Sequence, residues 1–102
     1  MSTEKFSRGW RAGELESIAG RFRMLGEPMR LRILQAVCQR ARMVNDIVAA
    51  TGSTQANVSK HLALLAAAGI LERKKAGQCV YYGMKDQLAV KLCELVHAHQ
   101  VE

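Results

Sequence analysis

No apolar run in this chain approaches the ~20 residues needed to cross a bilayer, and the opening stretch MSTEKFSRGWRAGE is polar, with no apolar segment of signal-peptide type. A cytoplasmic protein with no membrane partner is therefore expected, in a compartment where thiols stay reduced. The three cysteines, Cys38, Cys79 and Cys93, contain no CxxC pair, which excludes the usual disulfide frameworks and zinc knuckles. There is no P-loop, no nucleophile elbow and no paired-carboxylate pattern. His61, His97, His99 and the cysteines would have to supply any base and nucleophile, so no enzyme is expected. Internal repeats, low-complexity tracts and interdomain linkers are also missing, and 102 residues fit one domain.

Acidic residues are scarce in the middle of the chain. Between Glu27 and Glu72 only Asp46 is acidic, whereas Arg30, Arg32, Arg40, Arg42 and Lys60 lie there and Arg73, Lys74 and Lys75 follow. With a net charge of +6, the chain is suited to an anionic partner.

The pattern from Met43 to Met84 gives that charge a context. MVNDIVAAT has Val44, Ile47 and Val48 at helical spacing, and Gly52 follows as a helix stop. In TQANVSKHLALLAAAG, Thr54 is a suitable N-cap, and Val58, Leu62 and Leu65 fall at i, i+4 and i+7. Two helices joined this tightly predict a helix-turn-helix, whose second helix can enter a DNA major groove. After Gly69 the period changes. Ile70 to Lys74 and Cys79 to Gly83 read as short strands joined by Ala76, Gly77 and Gln78, a basic hairpin in which one of Tyr81 and Tyr82 is core and the other exposed.

Earlier in the chain, Leu15, Ile18, Ala19, Phe22 and Leu25 form one apolar stripe. Pro28 suits the first position of a helix that turns Leu31, Leu34 and Val37 inward with Ile33 beside them. Asp86 caps a last helix with Leu88, Leu92, Leu95 and Val96 on its seam. The expected fold class is mainly α (α+β): a winged helix-turn-helix of about five helices and a two-stranded β-hairpin wing. Residues 1–13 form a flexible arm, with Phe6 and Trp10 packing on the domain or on a second subunit, and residues 14–102 form the DNA-binding and dimerisation domain. The terminal helices have little core to cover their stripes, so a homodimer through the N- and C-terminal helices is expected. Its two recognition helices would match a palindromic double-stranded operator.

The strings LGEPMRLRIL and GSTQANVSKHLALLAAAGILERKKAGQCVYY resemble ArsR/SmtB-type winged-helix regulators, over roughly Phe22 to Val96. The resemblance implies a dimeric repressor that releases its operator when an effector binds. By position it places Thr54, Gln55, Ala56, Asn57, Ser59, Lys60 and His61 on DNA through the recognition helix, and Lys74, Lys75 and Gln78 through the wing. His61 has a competing reading as a structural histidine bonded within the subunit. The alternative function is a winged-helix protein-interaction module; acidic replacements on the recognition helix or wing would favour it, and there are none.

The resemblance leaves the effector open. Where relatives carry a CxC on the first helix of the motif, this chain has Met43 and Asn45, so a thiophilic metal site of that kind is not expected. Of the zinc ligands on the last helix, Asp86, His99 and Glu102 match, but Leu88 replaces a histidine. Asp86 also reads as an N-cap, and His99 and Glu102 as a solvated helix end. Where sulfur- or oxidant-sensing relatives carry two cysteines, this chain has Gln35 and Val101. It has instead Cys38, one turn later on the second helix, and Cys93, two turns earlier on the last. Cys38, Cys93 and, on the wing, Cys79 are thiol candidates and equally small apolar residues. His97, one turn after Cys93 on the same face, is placed to lower its thiol pKa. No cofactor is required for the fold; a metal ion and a thiol-reactive effector both stay open.

Overall fold

A computed structural model describes residues 3–100. Two helices come first, α1 (Glu4–Ser7) and α2 (Ala12–Leu25), followed by α3 (Pro28–Val37), α4 (Val44–Thr51) and α5 (Gln55–Ala67). A hairpin of β1 (Leu71–Ala76) and β2 (Cys79–Met84) leads into α6 (Gln87–Gln100). The one-turn α1 lies within the stretch read as an arm, where Phe6 and Trp10 stack on each other with centroids 5.2 Å apart.

Local chemistry sets these boundaries. Pro28 opens α3, where a missing N–H costs nothing, and Glu27 caps it by accepting from Met29 N at 2.6 Å. Gly52 ends α4 at φ +71°, a left-handed conformation that an L side chain adopts only at a cost. Thr54 opens α5, its Oγ1 accepting from Asn57 N at 3.1 Å. In the hairpin, Ala76 pairs with Cys79, so the turn is the two residues Gly77 and Gln78 and Ala76 belongs to the strand. Gly77 takes the positive φ that such a tight turn requires. The backbone of Arg42 pairs with Tyr82 (N···O 2.9 and 2.8 Å), which pins the wing to the loop before α4.

The core is the meeting of α3, α4, α5 and the base of the wing. Ile33, Leu34, Val37, Ile47, Val58, Leu62, Leu65, Ile70, Leu71 and Ala89 are buried there. Leu31 departs from the expected inward set. Ile33, Val37 and Leu34 fill an arc of about 100° on α3, and Leu31 falls about 60° beyond its edge, so it is exposed. Tyr81 and Tyr82 are both half-buried instead of dividing into one core and one exposed residue; Tyr82 packs against the core from beside the Arg42 bridge.

Neither terminal helix buries its stripe within the subunit. No residue of α2 is buried, and α6 buries only Ala89. Leu15, Ile18 and Phe22 on α2, and Leu88, Leu95 and Val96 on α6, are exposed. The two helices are tied by an ion pair between Arg21 and Asp86, and Asp86 also accepts from Leu88 N at 3.0 Å, capping α6.

Candidate functional site

Helix α5 has two chemically distinct sides. At 100° per residue, Gln55, Ala56, Ser59, Lys60 and Ala63 project within an arc of about 140°, and all five are exposed. Val58, His61, Leu62 and Leu65 occupy the opposite side and are buried. One side therefore anchors the helix, and the other presents an amide, a hydroxyl, an ammonium and two small residues to solvent. Such side chains can follow a phosphate backbone and read base edges. The unpaired N–H groups of the first turn add an anion-attracting end to the same helix.

Not every residue expected at this surface faces outward. His61 is 6% exposed and belongs to the buried stripe, because it lies three residues after Val58 and four before Leu65. It is removed from the outward set: Nε2 is 3.2 Å from Glu27 Oε2, and Nδ1 accepts from Arg30 Nε at 3.2 Å. Asn57 is half-buried, and its amide donates to Ser53 Oγ at 2.9 Å, so it holds the turn. Thr54 is exposed, but its oxygen caps α5. Ser53, Glu27 and Arg30 are the supporting residues that sequence reasoning missed. Glu27 before Pro28 carries a cap signal, whereas the contact of Arg30 with His61 spans 31 residues and has none.

The wing continues this basic surface. Arg73, Lys74, Lys75 and Gln78 are exposed, and Lys74 Nζ is 3.6 Å from Glu72 Oε2. Gly83, buried at the base of the wing, lets the strand approach the α3–α4 loop, since a Cβ there would meet Ala41 Cβ at 3.1 Å.

A second feature lies between α3 and α6. A cleft of ≈ 560 Å³ is lined by Leu31, Leu34 and Cys38 on one wall and Val90, Cys93 and His97 on the other. Two of the three thiols thus share one cavity, while Cys79 is exposed beside the wing turn. Cys38 is exposed and donates to the Gln35 carbonyl at 3.3 Å. Burial raises the pKa of the Cys93 thiol, the reverse of the lowering expected from His97.

The residues considered for a metal do not converge. Asp86 is engaged by Leu88 N and Arg21. His99 lies 13 residues further along α6, about 20 Å at 1.5 Å per residue. Glu102 lies outside the described residues. Among the described residues no three of His, Cys, Asp and Glu come together as a metal-binding group.

Comparison with known proteins agrees with this architecture. The family described as "Bacterial regulatory protein, arsR family" matches residues 27–73, the span from the cap of α3 into the wing. A transcriptional repressor SmtB homolog from Synechocystis is 28% identical over 89 residues, covering 87% of this chain and 67% of that protein. A cadmium resistance transcriptional regulatory protein CadC homolog from Staphylococcus aureus is 31% identical over 86 residues, covering 83% of this chain and 71% of the relative. The solution structure of a homodimeric winged helix-turn-helix DNA-binding domain from Mycobacterium bovis superposes with a TM-score of 0.77 at 28% identity, covering 90% of this chain and 88% of that one. With a helix-turn-helix, a paired wing and relatives of this similarity across most of its length, the chain belongs to the arsR family of bacterial regulatory proteins.

Proposed function

We propose that the protein is a homodimeric transcriptional repressor that occupies a palindromic operator and leaves it when an effector acts. The observation that carries this reading is the exposed side of α5: Gln55, Ala56, Ser59 and Lys60 face outward from a helix locked by Val58, Leu62 and Leu65. Lys74, Lys75 and Gln78 of the wing extend the contact to the backbone and minor groove. The exposed apolar faces of α2 and α6 supply the dimer interface, which sets the spacing of the two α5 helices to about one turn of DNA. Repression is steric, and release is a shift of the dimer toward a low-affinity arrangement.

The α3–α6 cleft supports thiol chemistry as the effector step. The exposed Cys38 attacks a peroxide or a polysulfide, and Cys93, on the opposite wall, resolves the adduct. The product is a disulfide; the oxidant takes two electrons and leaves as water or sulfide. A bridge between α3 and α6 would change the relation of the core to the dimer face.

Fluorescence anisotropy with promoter DNA tests the first part. Binding should weaken as salt rises, and Gln55→Ala and Lys60→Ala should each cost about 1–3 kcal/mol; Lys60→Ala should also lower the salt slope by about one. Unchanged binding in both variants would mean that a different surface meets the DNA. Intact-mass measurement after peroxide or polysulfide, on wild type, Cys38→Ser and Cys93→Ser, tests the second. The expected result is loss of two hydrogens and of DNA affinity in wild type alone.

A further inference from the structure

His61 is the buried charged or polar residue of the described core, and both of its ring nitrogens are engaged. Arg30 Nε can only donate, and it lies 3.2 Å from Nδ1. Nδ1 is therefore the accepting nitrogen, and the neutral ring carries its hydrogen on Nε2. Nε2 in turn lies 3.2 Å from Glu27 Oε2, a contact that becomes an ion pair when the ring is charged. The other oxygen of Glu27 caps α3 through Met29 N. Arg30 reaches further: Nη1 is 3.5 Å from the carbonyls of Arg23 and Met24, at the C-terminal end of α2, where a cation suits the negative end of the helix dipole. Three helices are joined through the Arg30 guanidinium. Helix α5 supplies the ring, the start of α3 a carboxylate and a guanidinium, and α2 its terminal carbonyls.

We propose that His61, Glu27 and Arg30 form a proton-sensitive positioning device, in which the neutral imidazole ties the DNA-facing helix α5 to α2 and protonation at Nδ1 breaks that tie and weakens DNA binding. The inference rests on the reading of α5 as the DNA-facing helix. A proton on Nδ1 removes the acceptor for Arg30 Nε and sets an imidazolium against a guanidinium. It also strengthens the pairing of the ring with Glu27. The link from α5 to α3 through Glu27 tightens, while the link through Arg30 to α2 opens. Helix α2 carries an exposed apolar face, so its tie to α5 sets the angle between the two recognition helices of the dimer.

Other charges on these elements make no ion pair or hydrogen bond with the ring among the described residues. Among the described residues, Glu27 and Arg30 are the side chains that make polar contact with His61. On α4, Asp46 is exposed; on β1, Glu72 pairs with Lys74; on α2, Arg23 is exposed; on α5 itself, Lys60 is exposed. Simple charge addition predicts the opposite pH effect, because protonating a basic protein strengthens its hold on phosphate. The two accounts therefore differ in sign.

The test is DNA affinity of the full chain at constant salt, from about pH 8 to about pH 5.5, the range in which an imidazole changes charge. Wild type should lose about tenfold in affinity toward the acid end, within the usual size of a coupling between sites. His61→Asn places an amide oxygen near the position of Nδ1, keeps an acceptor for Arg30 and does not titrate. It should bind within a few-fold of wild type near pH 8 and show a flat or rising profile in acid. A wild-type profile that is flat or rises in acid, or an Asn variant that follows the wild-type decline, overturns the proposal.

A second measurement needs neither DNA nor a variant. In the free wild-type protein, the backbone amides from Arg23 to Gly26 should shift in NMR spectra with the same midpoint as the His61 ring. If they do not move with it, the device is refuted. If they do while no DNA binds at any pH, the coupling stands and the DNA-facing assignment of α5 fails.

Discussion

Cys93 and Cys38 line the same cleft with different exposure to solvent. Burial penalises the Cys93 thiolate and raises its pKa, while Cys38 is open to solvent. Because the thiolate is the nucleophile, iodoacetamide should label Cys38 and Cys79 first, and Cys93 should lag, with its rate rising only at more alkaline pH. Peptide mass spectrometry across a pH series reads this directly; early labelling of Cys93 near neutrality would contradict the burial argument. The same shift affects stability. The folded state holds the Cys93 proton to higher pH than the unfolded chain does. Its contribution is therefore complete below the unfolded thiol pKa and is lost as pH rises through the folded one. Cys93→Ala should reduce the alkaline fall in stability measured by urea unfolding.

Among the elements, the turn between α4 and α5 carries the clearest backbone requirement. Gly52 sits at φ +71°, and a Cβ there would meet nothing within 4 Å, so a side chain costs only its conformational strain. Gly52→Ala should destabilise by about 1–2 kcal/mol, and Gly52→Asn by less, because Asn tolerates the left-handed region. A shift in urea midpoint with unchanged slope would confirm it. Equal loss in both variants would point to a packing role that the open space around Gly52 does not provide. Thr54 and the Ser53–Asn57 bond complete this turn. Here the helix-turn-helix is legible from residue types alone, since a glycine stop, a threonine cap and a 3.6-residue stripe are all local signals.

In the molecule as a whole, α2 and α6 leave Leu15, Ile18, Phe22, Leu88, Leu95 and Val96 exposed. Phe22 is 57% exposed and Leu95 58%. In the proposed dimer these surfaces are covered, so the pair Phe22→Glu and Leu95→Glu should give a folded monomer by sedimentation, with helical circular dichroism retained and operator binding lost. A double variant that stays dimeric would place the interface elsewhere.

Much of this arrangement follows from spacing along the chain. Periodicity is a property of neighbours, so the buried sides of α4 and α5, the cap at Thr54, the turn at Gly77 and the bare stripes of the terminal helices can all be read from order alone. The same stripe holds the inward placement of His61, although its polar chemistry suits the outer face equally well. Contacts between distant residues have no such signature. Arg30 meets His61 across 31 residues, Arg21 meets Asp86 across 65, and Cys38 and Cys93 share a cleft because α3 lies beside α6. How packed helices cross depends on all their contacting side chains at once, so these meetings exist only in the folded chain. So does the raised proton affinity of Cys93, which comes from its partial burial in the folded chain.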